Sequence, residues 1–384
     1  MGAFLKIFIN AFSARLGGGQ TYLRNLLAYM PDRDDFDVFV YAPTGLDLPN
    51  HPRLRRMVTR WPTTNPLLRA LWERFILPSV LRNVQADVLF CPGGTINTRP
   101  PNSCKTVTMF RNMIPFDMKV RKSLPIGLQR ARNWLLERIM LKSMASADLT
   151  IFISDYARHV IEQRISVKQA VTIPHGINPM FRTYGKQLAR PPVALNGKFI
   201  LYVSRFDVYK HHYEVVKAYS SLSEDLRQQY KLLLAGECDS QEANRVMDLI
   251  ARSGLQHQVC ILGPVPNRDL PALYHHAHLI LFASSCENCP NILLEALGAG
   301  RPILSSNIMP MPEFGGAGAG YFSPFDSEDI ARKITEVLTN PELTNVMADA
   351  AAERSKKFDW AAPAKETWER IFVLAASGRV NQNS

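Results

Sequence analysis

The chain has 384 residues, 46% of them apolar and 21% charged, which is too long for one compact core, so two domains are expected. The formal net charge of +11 is uneven, because residues 1–190 carry +15 and the remaining residues carry −4. This asymmetry predicts that the first half faces a polyanion or an anionic membrane, and nucleic acid is not expected because no DNA- or RNA-binding signature accompanies the charge.

The first predicted element is a strand, FLKIFIN at residues 4–10. The run is short, contains Lys6 and lacks a cleavage site of small residues, so it does not resemble a signal peptide. No apolar run approaches the ~20 residues that a membrane-spanning helix needs. A cytoplasmic location is therefore expected.

Short apolar runs recur along the chain and alternate with amphipathic helical stretches. Continuous apolar runs are typical of strands buried on both faces of a parallel sheet, and strand–helix alternation predicts right-handed βαβ units. The runs are FDVFVYA (36–42), DVLFC (87–91), KTVTMF (105–110), LTIFIS (149–154), VTIP (171–174), FILYVS (199–204), KLLLAG (231–236), VCILG (259–263), LILFA (279–283) and PILSS (302–306). The series occurs twice, which predicts an α/β protein of two doubly wound, Rossmann-like domains that face each other across an interdomain cleft.

A stretch rich in proline separates the two series. Residues 173–198 carry four prolines and no apolar periodicity, which is typical of an interdomain linker. The predicted domains are residues 1–185 and 195–360, and an amphipathic helix within 361–384 is expected to pack back on the first domain. Ligands of open parallel sheets lie beyond the carboxyl ends of the strands, so the loops there should carry the chemistry.

Three such loops contain candidate residues. Gly17, Gly18 and Gly19 precede a helix whose N-terminus could attract phosphate, although the pattern matches neither the dinucleotide fingerprint nor the P-loop, and a flexible turn is an equal alternative. Arg205 and Lys210 follow a buried strand, and this pair of cations suits a diphosphate or, alternatively, a solvated surface.

The third loop is ASSCENCPNILLEALGAG, residues 283–300. Glu287 is expected at the strand tip and Glu295 on the following helix, with Pro290 at its first position and Gly298 and Gly300 at its end. The backbone N–H groups near the start of the helix are expected to point toward an anion or toward sugar hydroxyls.

These features together resemble the family-4 retaining glycosyltransferases of GT-B fold. The resemblance rests on Glu287 and Glu295 with seven residues between them, on Arg205 and Lys210, on the glycine loop, and on IPHGIN and LEALGAGRPIL. It implies a first domain that binds a glycan or lipid-linked acceptor and a second that binds a nucleotide-sugar. It also implies hexose transfer with retention in the synthesis of lipopolysaccharide, capsule or exopolysaccharide, on the inner face of the plasma membrane.

The resemblance also implies roles for single residues. Glu287 would contact the donor sugar near the reacting carbon, and Arg205 and Lys210 would stabilise charge on the leaving diphosphate. Glu295 would accept hydrogen bonds from the ribose hydroxyls. The other donor-binding residues would be Gly17, Gly18, Gly19, Arg111, Asn112, Asn288, Cys289, Pro290 and Asn291. No metal or other cofactor is expected, because the cationic side chains do the work of a metal.

One position departs from the family pattern. VTMFRNMIPF places Arg111 and Asn112 where the family has His-Asp. An arginine could still donate hydrogen bonds or pair with the diphosphate, but the usual contact with the donor sugar is in doubt. Altered donor use, loss of activity and a different GT-B activity, such as nucleotide-sugar epimerisation, are the alternatives. A phosphorylase would need a longer chain.

A redox or zinc protein is the alternative from another class, because Cys286 and Cys289 form C-x-x-C. The other cysteines are Cys91, Cys104, Cys238 and Cys260, and none forms a second close pair or lies beside a histidine at ligand spacing. A structural zinc site needs four ligands. The two thiols are therefore interpreted as packing residues.

Overall fold

The computed structural model describes residues 4–15, 17–123, 127–182 and 197–380. Its strands are β1 Leu5–Asn10, β2 Phe36–Tyr41, β3 Leu54–Arg56, β4 Val88–Cys91, β5 Lys105–Phe110, β6 Leu149–Phe152, β7 Ala170–Thr172, β8 Lys198–Val203, β9 Tyr230–Ala235, β10 Val259–Gly263, β11 Leu279–Phe282, β12 Ile303–Ser306 and β13 Gly320–Phe322.

The α-helices alternate with these strands. They are α1 Gly18–Ala28, α2 Pro66–Phe75, α3 Leu77–Val84, α4 Met118–Ser123, α5 Leu128–Ser146, α6 Asp155–Glu162, α7 His212–Ser220, α8 Glu224–Gln229, α9 Gln241–Arg252, α10 Leu270–His276, α11 Asn291–Ala299, α12 Met311–Gly315, α13 Ser327–Leu338, α14 Pro341–Ser355 and α15 Ala361–Val380. No helix within the described residues is long and apolar enough to cross a membrane.

Both sheets are parallel throughout, and each has a doubly wound strand order. The first sheet runs β3-β2-β1-β4-β5-β6-β7 and the second runs β10-β9-β8-β11-β12-β13. In each, the order reverses beside the first strand of the series, so β1 pairs with β4 and β8 pairs with β11. The predicted fold class, two doubly wound parallel sheets of the GT-B type, is confirmed.

The described residues fall into two compact units. The first comprises those within Met1–Phe116, Ile126–His175 and Trp360–Ser384, and the second those within Asp117–Pro125 and Gly176–Asp359. Helix α15 belongs to the first unit, where Trp368 Nε1 donates to the carbonyl of Leu26 at 3.0 Å. Of the predicted linker, the described part up to Arg182 packs in the second unit from Gly176 onward, whereas residues 183–196 lie outside the described residues.

Two strands were not predicted, and both are three residues long at a sheet edge. β3 coincides with most of the basic cluster at residues 53–56, and β13 has the sequence GYF. Such short edge strands carry little apolar signal, because only one side of each pairs with a neighbour. The other basic cluster, residues 119–122, lies in α4 and belongs to the second unit, where Lys119 Nζ is 5.6 Å from the Phe325 ring centroid.

The core of the first unit includes an aromatic cluster under α2. Phe12, Tyr41 and Trp72 are buried, with ring centroids 4.9 Å apart for the first pair and 5.0 Å for Tyr41 and Trp72. In the second unit His212 is buried between the Tyr202 and Phe206 rings, at 4.5 Å and 4.1 Å. These clusters lie under the carboxyl ends of β1 and β8, so they support the loops that follow those strands.

Candidate active site

The candidate site of the second unit lies where the strand order reverses. The loop after β8 contains Arg205 and Lys210, and the loop after the neighbouring strand β11 contains Glu287. Because parallel strands end at the same edge of a sheet, residues 75 and more positions apart in sequence meet there. This reversal point is the usual ligand position in open α/β sheets.

Lys210 and Glu287 form an ion pair at this edge. The Lys210 ammonium donates to Glu287 Oε1, and only 8% and 17% of the two side chains are exposed. The ammonium also lies 5.3 Å from the Tyr209 ring centroid and 5.4 Å from that of Phe282. A cation held in such surroundings is poorly solvated by water, so it interacts strongly with any anion that reaches it.

The loops after β8 and β11 are joined by further hydrogen bonds. The backbone N–H of Ser285 donates to the carbonyl of Tyr209 at 2.8 Å, and the Ser285 hydroxyl lies 2.8 Å from His211 Nε2. His211 itself has φ = 53°, in the left-handed region that residues other than glycine seldom adopt. These contacts hold Lys210 and Glu287 in fixed relative positions.

The structure does not place Arg205 beside Lys210 and Glu287. Its side chain is 57% exposed, and its Nε lies 2.9 Å from Asp207 Oδ2 and its Nη1 4.0 Å from Glu237 Oε2. The guanidinium is therefore compensated by acidic side chains of its own loop and of the loop after β9. A phosphate would have to compete with both carboxylates for Arg205, whereas it would compete with Glu287 alone for Lys210.

Glu295 lies on α11 beside α10. Tyr274, which is fully buried, donates its hydroxyl hydrogen to Glu295 Oε2 at 3.2 Å. Burial raises the pKa of Glu295 to about 7, despite the hydrogen bond from Tyr274. The carboxyl group is thus a hydrogen-bonding group whose charge changes near neutral pH.

Helix α11 begins at Asn291, with Pro290 as the capping residue just before it. A helix with Pro290 at its first position would start one residue earlier than the observed helix does. Gly300 ends the helix in a left-handed conformation, as predicted, but Gly298 lies inside it. A Cβ on Gly298 would lie 2.8 Å from Ile177 Cγ2, so this glycine permits close packing and does not terminate the helix.

The neighbouring donor-site candidates surround the start of α11. Asn288 is buried, Cys289 is buried, and Asn291 is partly exposed. The backbone N–H of Asn291 donates to the carbonyl of Cys289 at 2.9 Å. The N-terminus of a helix carries a partial positive charge, which favours hydroxyl or anionic oxygen atoms near it.

The thiols of Cys286 and Cys289 are buried and are not joined in a disulfide. Burial, together with the nearby carboxylates of Asp117 and Glu287, raises the pKa of Cys286, whose thiol is also hydrogen-bonded to Asp117. Raised thiol pKa values oppose metal binding and redox reactivity, which both require the thiolate. Across the described ranges, no group of three or more His, Cys, Asp or Glu residues could hold a metal ion.

The first unit has its own candidate loops, also at the reversal point of its sheet. Gly17 has φ = 53° and precedes α1, in which Gly18 and Gly19 are the first residues. A Cβ on Gly19 would lie 3.1 Å from Ala14 Cα and 3.5 Å from Arg111 Nη1. The glycine loop and Arg111 are therefore neighbours, and the Arg111 guanidinium lies 5.5 Å from the Tyr22 ring centroid.

Asn112 has a local structural role. Its Oδ1 accepts from the backbone N–H of Ile114 at 3.2 Å, at the start of the 3-10 turn Ile114–Phe116. The loop after β4 also approaches the first loop closely, because a Cβ on Gly93 would lie 2.1 Å from Ser13 Oγ. A side chain at position 93 would therefore require Ser13 to move.

Several residues at these edges were not found from the sequence. Tyr274 donates to the predicted site residue Glu295, and Asp117 is hydrogen-bonded to the Cys286 thiol beside Glu287. His211 and Ser285 contact each other across the loops that carry Lys210 and Glu287. None of these contacts has a recognisable sequence motif. The only local signal was the pair of histidines after Lys210. Their importance follows from tertiary contacts that sequence spacing does not encode.

Two family models match consecutive parts of the chain. The model described as Glycosyltransferase Family 4 matches residues 16–181, and the model described as Glycosyl transferases group 1 matches residues 186–354. Together the two matches span most of the chain and meet at the boundary between the two strand series.

Curated relatives include glycosyltransferases of Escherichia coli. The chain is 28% identical over 265 residues to the serotype-specific mannosyltransferase WbdA, covering 67% of this chain and 32% of that protein. It is 26% identical over 325 residues to O-antigen chain mannosyltransferase B, covering 81% and 80%. The chain thus spans about a third of the length of the curated relatives that it matches first.

Solved structures share the fold over nearly the whole chain. The sucrose-phosphate synthase of Thermosynechococcus elongatus has a TM-score of 0.79 at 18% identity, covering 97% of this chain and 100% of that one. HepE of Anabaena, solved in complex with UDP-glucose, has a TM-score of 0.70 at 17% identity, covering 96% and 100%. The chain therefore belongs to the family-4 glycosyltransferases and has the GT-B fold.

Proposed function

We propose that this glycosyltransferase moves a hexose from a nucleotide-diphosphate sugar to a glycan or lipid-linked acceptor, with retention of configuration, in the synthesis of a surface polysaccharide. The ion pair between Lys210 and Glu287 at the reversal point of the second sheet carries the proposal. The mannosyl relatives make mannose the first sugar to test, and HepE, solved with UDP-glucose, supports a nucleotide-sugar donor.

Each residue would act through the geometry described. The diphosphate would take the Lys210 ammonium as a partner, which frees the Glu287 carboxylate to face the sugar near the reacting carbon. As the glycosidic bond breaks, negative charge grows on the leaving phosphate, and a buried cation stabilises that charge more than a solvated one. Arg205 would join only after exchanging its contacts with Asp207 and Glu237.

Helix α11 would bind the nucleoside. The Glu295 carboxyl group, held by Tyr274, would accept hydrogen bonds from the ribose hydroxyls. Hydroxyl donors favour the ionised carboxylate, so bound nucleotide would lower the pKa of Glu295 from its raised value. In the first unit, Gly17, Gly18, Gly19 and Arg111 would offer N–H donors to the donor phosphates. No metal or other cofactor is part of this proposal.

A mutation of Glu287 tests the donor site. Glu287→Gln should lower the rate of sugar transfer by about 10²-fold or more, because the amide cannot stabilise positive charge at the reacting carbon. Glu353→Gln, on a carboxyl group of the same unit that is 73% exposed, is the control and should keep the rate. Transfer can be followed by release of nucleoside diphosphate. A rate within tenfold of the parent would show that Glu287 takes no part in the reaction. The anomeric configuration of the product shows whether the reaction proceeds with retention.

The acceptor would bind in the first unit. A cavity of about 280 Å³ lies beyond the carboxyl ends of β1, β2 and β3, and its lining includes Phe12, Arg15, Arg56 and Trp61. Arg15 and Arg56 are tied to backbone carbonyls of Thr63 and Leu46, which fixes the cavity wall. Pockets that combine an aromatic face with a few fixed polar groups are typical of ligand sites.

Trp61 provides the test of this cavity, because its indole is 38% exposed there. Trp61→Ala should raise the KM for the acceptor by about tenfold, since a large aromatic contact surface is lost. The affinity for nucleoside diphosphate, measured by calorimetry, should stay the same. An unchanged KM would move the acceptor site elsewhere.

A further inference from the structure

Helix α2 of the first unit has an apolar face that is exposed to solvent. Leu67, Leu71 and Phe75 recur at every fourth position and are 77%, 48% and 71% exposed. The opposite face buries Trp72 together with Glu73, whose carboxylate accepts hydrogen bonds from Asn10 and Asn97. A surface helix of a globular protein normally shows the reverse arrangement, so this stripe has a partner other than the core.

Helix α5 of the same unit also exposes apolar side chains, here mixed with cations. Leu128, Trp134 and Leu135 are 90%, 46% and 52% exposed. The exposed cations of α5 are Arg132, Arg138 and Lys142. The Arg138 guanidinium lies 3.9 Å from the Trp134 ring centroid. Apolar and aromatic side chains interleaved with Arg and Lys are typical of helices that lie in a membrane interface.

A basic groove lies between the two helices. It has a volume of about 710 Å³ and is lined by Arg74 at the end of α2, by Arg99 and by Lys142 of α5. Among the lining residues that the structure describes, the one acid is Asp148. It already accepts two hydrogen bonds from Thr106 and a third from Lys168. The groove therefore presents a surplus of positive charge, as a phosphate requires.

We propose that this face, formed by the exposed sides of α2 and α5, docks on an anionic lipid bilayer, with lipid phosphates in the groove lined by Arg74, Arg99 and Lys142. The apolar stripes enter the headgroup region while the cations stay at the level of the phosphates. The inference deepens the proposed function, since it names the surface on which a lipid-linked acceptor is met.

Charge favours the bilayer over a second copy of the chain. An isologous dimer through this face would place the same cations opposite one another across the interface. A bilayer supplies anions to all of them at once, and residues 1–190 carry an excess of fifteen positive charges. Each cation near such a surface and each buried apolar group adds to the affinity.

Vesicle co-sedimentation of the full chain tests the proposal. Vesicles of phosphatidylglycerol and phosphatidylcholine should bind the protein at low salt, and vesicles of phosphatidylcholine alone should bind it at least tenfold more weakly. Leu67→Ser with Phe75→Ser should weaken binding to the anionic vesicles by about tenfold or more, since both side chains lose buried apolar area. Arg74→Glu with Lys142→Glu should also weaken binding to the anionic vesicles by about tenfold or more.

The controls are substitutions of the same kind at exposed positions outside this face. Val346→Ser in the second unit, where Val346 is 64% exposed, should keep vesicle binding, as should Lys356→Glu. The proposal is overturned if the protein does not bind anionic vesicles, or if Leu67→Ser with Phe75→Ser leaves binding intact. It is also overturned if the molar mass measured by light scattering halves in these variants, because the face would then be a dimer interface. Nucleotide binding and transfer to a soluble acceptor report separately on the proposed function, which the variants should not alter.

Discussion

Single residues at the edge of the second sheet determine its electrostatics. Lys210 and Glu287 compensate each other, and Glu295 is a carboxyl group whose burial raises its pKa to about 7. The sequence placed Glu287 at a strand tip and Glu295 on a helix, and the structure has them there. Their different surroundings could not be predicted, because Tyr274 reaches Glu295 and Lys210 reaches Glu287 from other elements.

The raised pKa of Glu295 predicts how stability depends on pH. The unfolded carboxyl group loses its proton near pH 4.5, whereas the folded one keeps it until about pH 7. The folded state therefore binds more protons in this range, and the free energy of unfolding should fall as pH rises from about 4.5 to about 7. Allowing for solvent screening of a partly exposed group, the loss should be about 1–2 kcal/mol.

Glu295→Gln provides the comparison for this prediction. The amide does not titrate, so the difference in unfolding free energy between the two proteins should grow in favour of the variant as pH rises through the window. Urea titrations at several pH values measure it. A constant difference would show that Glu295 has an ordinary pKa in the folded protein.

At the scale of elements, α11 shows how packing overrides local preference. Its sequence predicts a helix after a strand-end loop, and the helix forms as expected apart from the position of Pro290. Gly298 inside the helix is unfavourable by local preference, yet its lack of a side chain lets the 3-10 turn Pro179–Phe181 pack against α11. That contact joins segments more than a hundred residues apart, so no local pattern predicts it.

Gly298→Ala should therefore destabilise the protein. Alanine in a helix is normally more stable than glycine by about 1 kcal/mol. Here the added Cβ would lie 2.8 Å from Ile177 Cγ2 and 3.3 Å from Phe181 Cβ, so overpacking should cost about 1–3 kcal/mol and reverse the sign.

Urea denaturation of a double-mutant cycle with Ile177→Ala checks the contact. Removing the Ile177 side chain makes room for the new Cβ, so Gly298→Ala should cost less, or stabilise, in that background, with a coupling energy of about 1 kcal/mol. Additive effects of the two changes would mean that the helix accommodates the methyl group elsewhere.

At the scale of the whole molecule, the first unit is discontinuous in sequence. Helix α15, at the end of the chain, completes it through Trp368, which is fully buried, and through Phe36 and Phe372, whose ring centroids are 5.1 Å apart. The second unit in turn includes α4 from the first half of the chain. Each unit therefore combines segments that are separated in sequence by residues of the other unit.

Trp368→Ala should lower the free energy of unfolding by about 3–5 kcal/mol, because a fully buried aromatic side chain is lost. Val373→Ser, on the same helix but 69% exposed, is the control and should change it by less than about 0.5 kcal/mol. Circular dichroism in urea measures both. Equal, small effects of the two substitutions would show that α15 contributes little to the stability of the first unit.

The sequence by itself determined the fold class and the strand-tip positions of the main candidate residues. Buried parallel strands are continuous apolar runs, and the loops that leave them follow directly in sequence, so both are local signals. The short edge strands β3 and β13 were missed because pairing on one side needs little apolar sequence.

Only the tertiary structure decided which charges meet. It joined Lys210 to Glu287, turned Arg205 toward Asp207, brought Arg111 beside the glycine loop and left the apolar side of α2 exposed. The contacts of Lys210 and Arg111 depend on residues that are distant in sequence, and Asp207 is one of two acidic side chains that lie near Arg205. Spacing along the chain determines which sheet edge a residue reaches, but the partner it finds there is decided by packing.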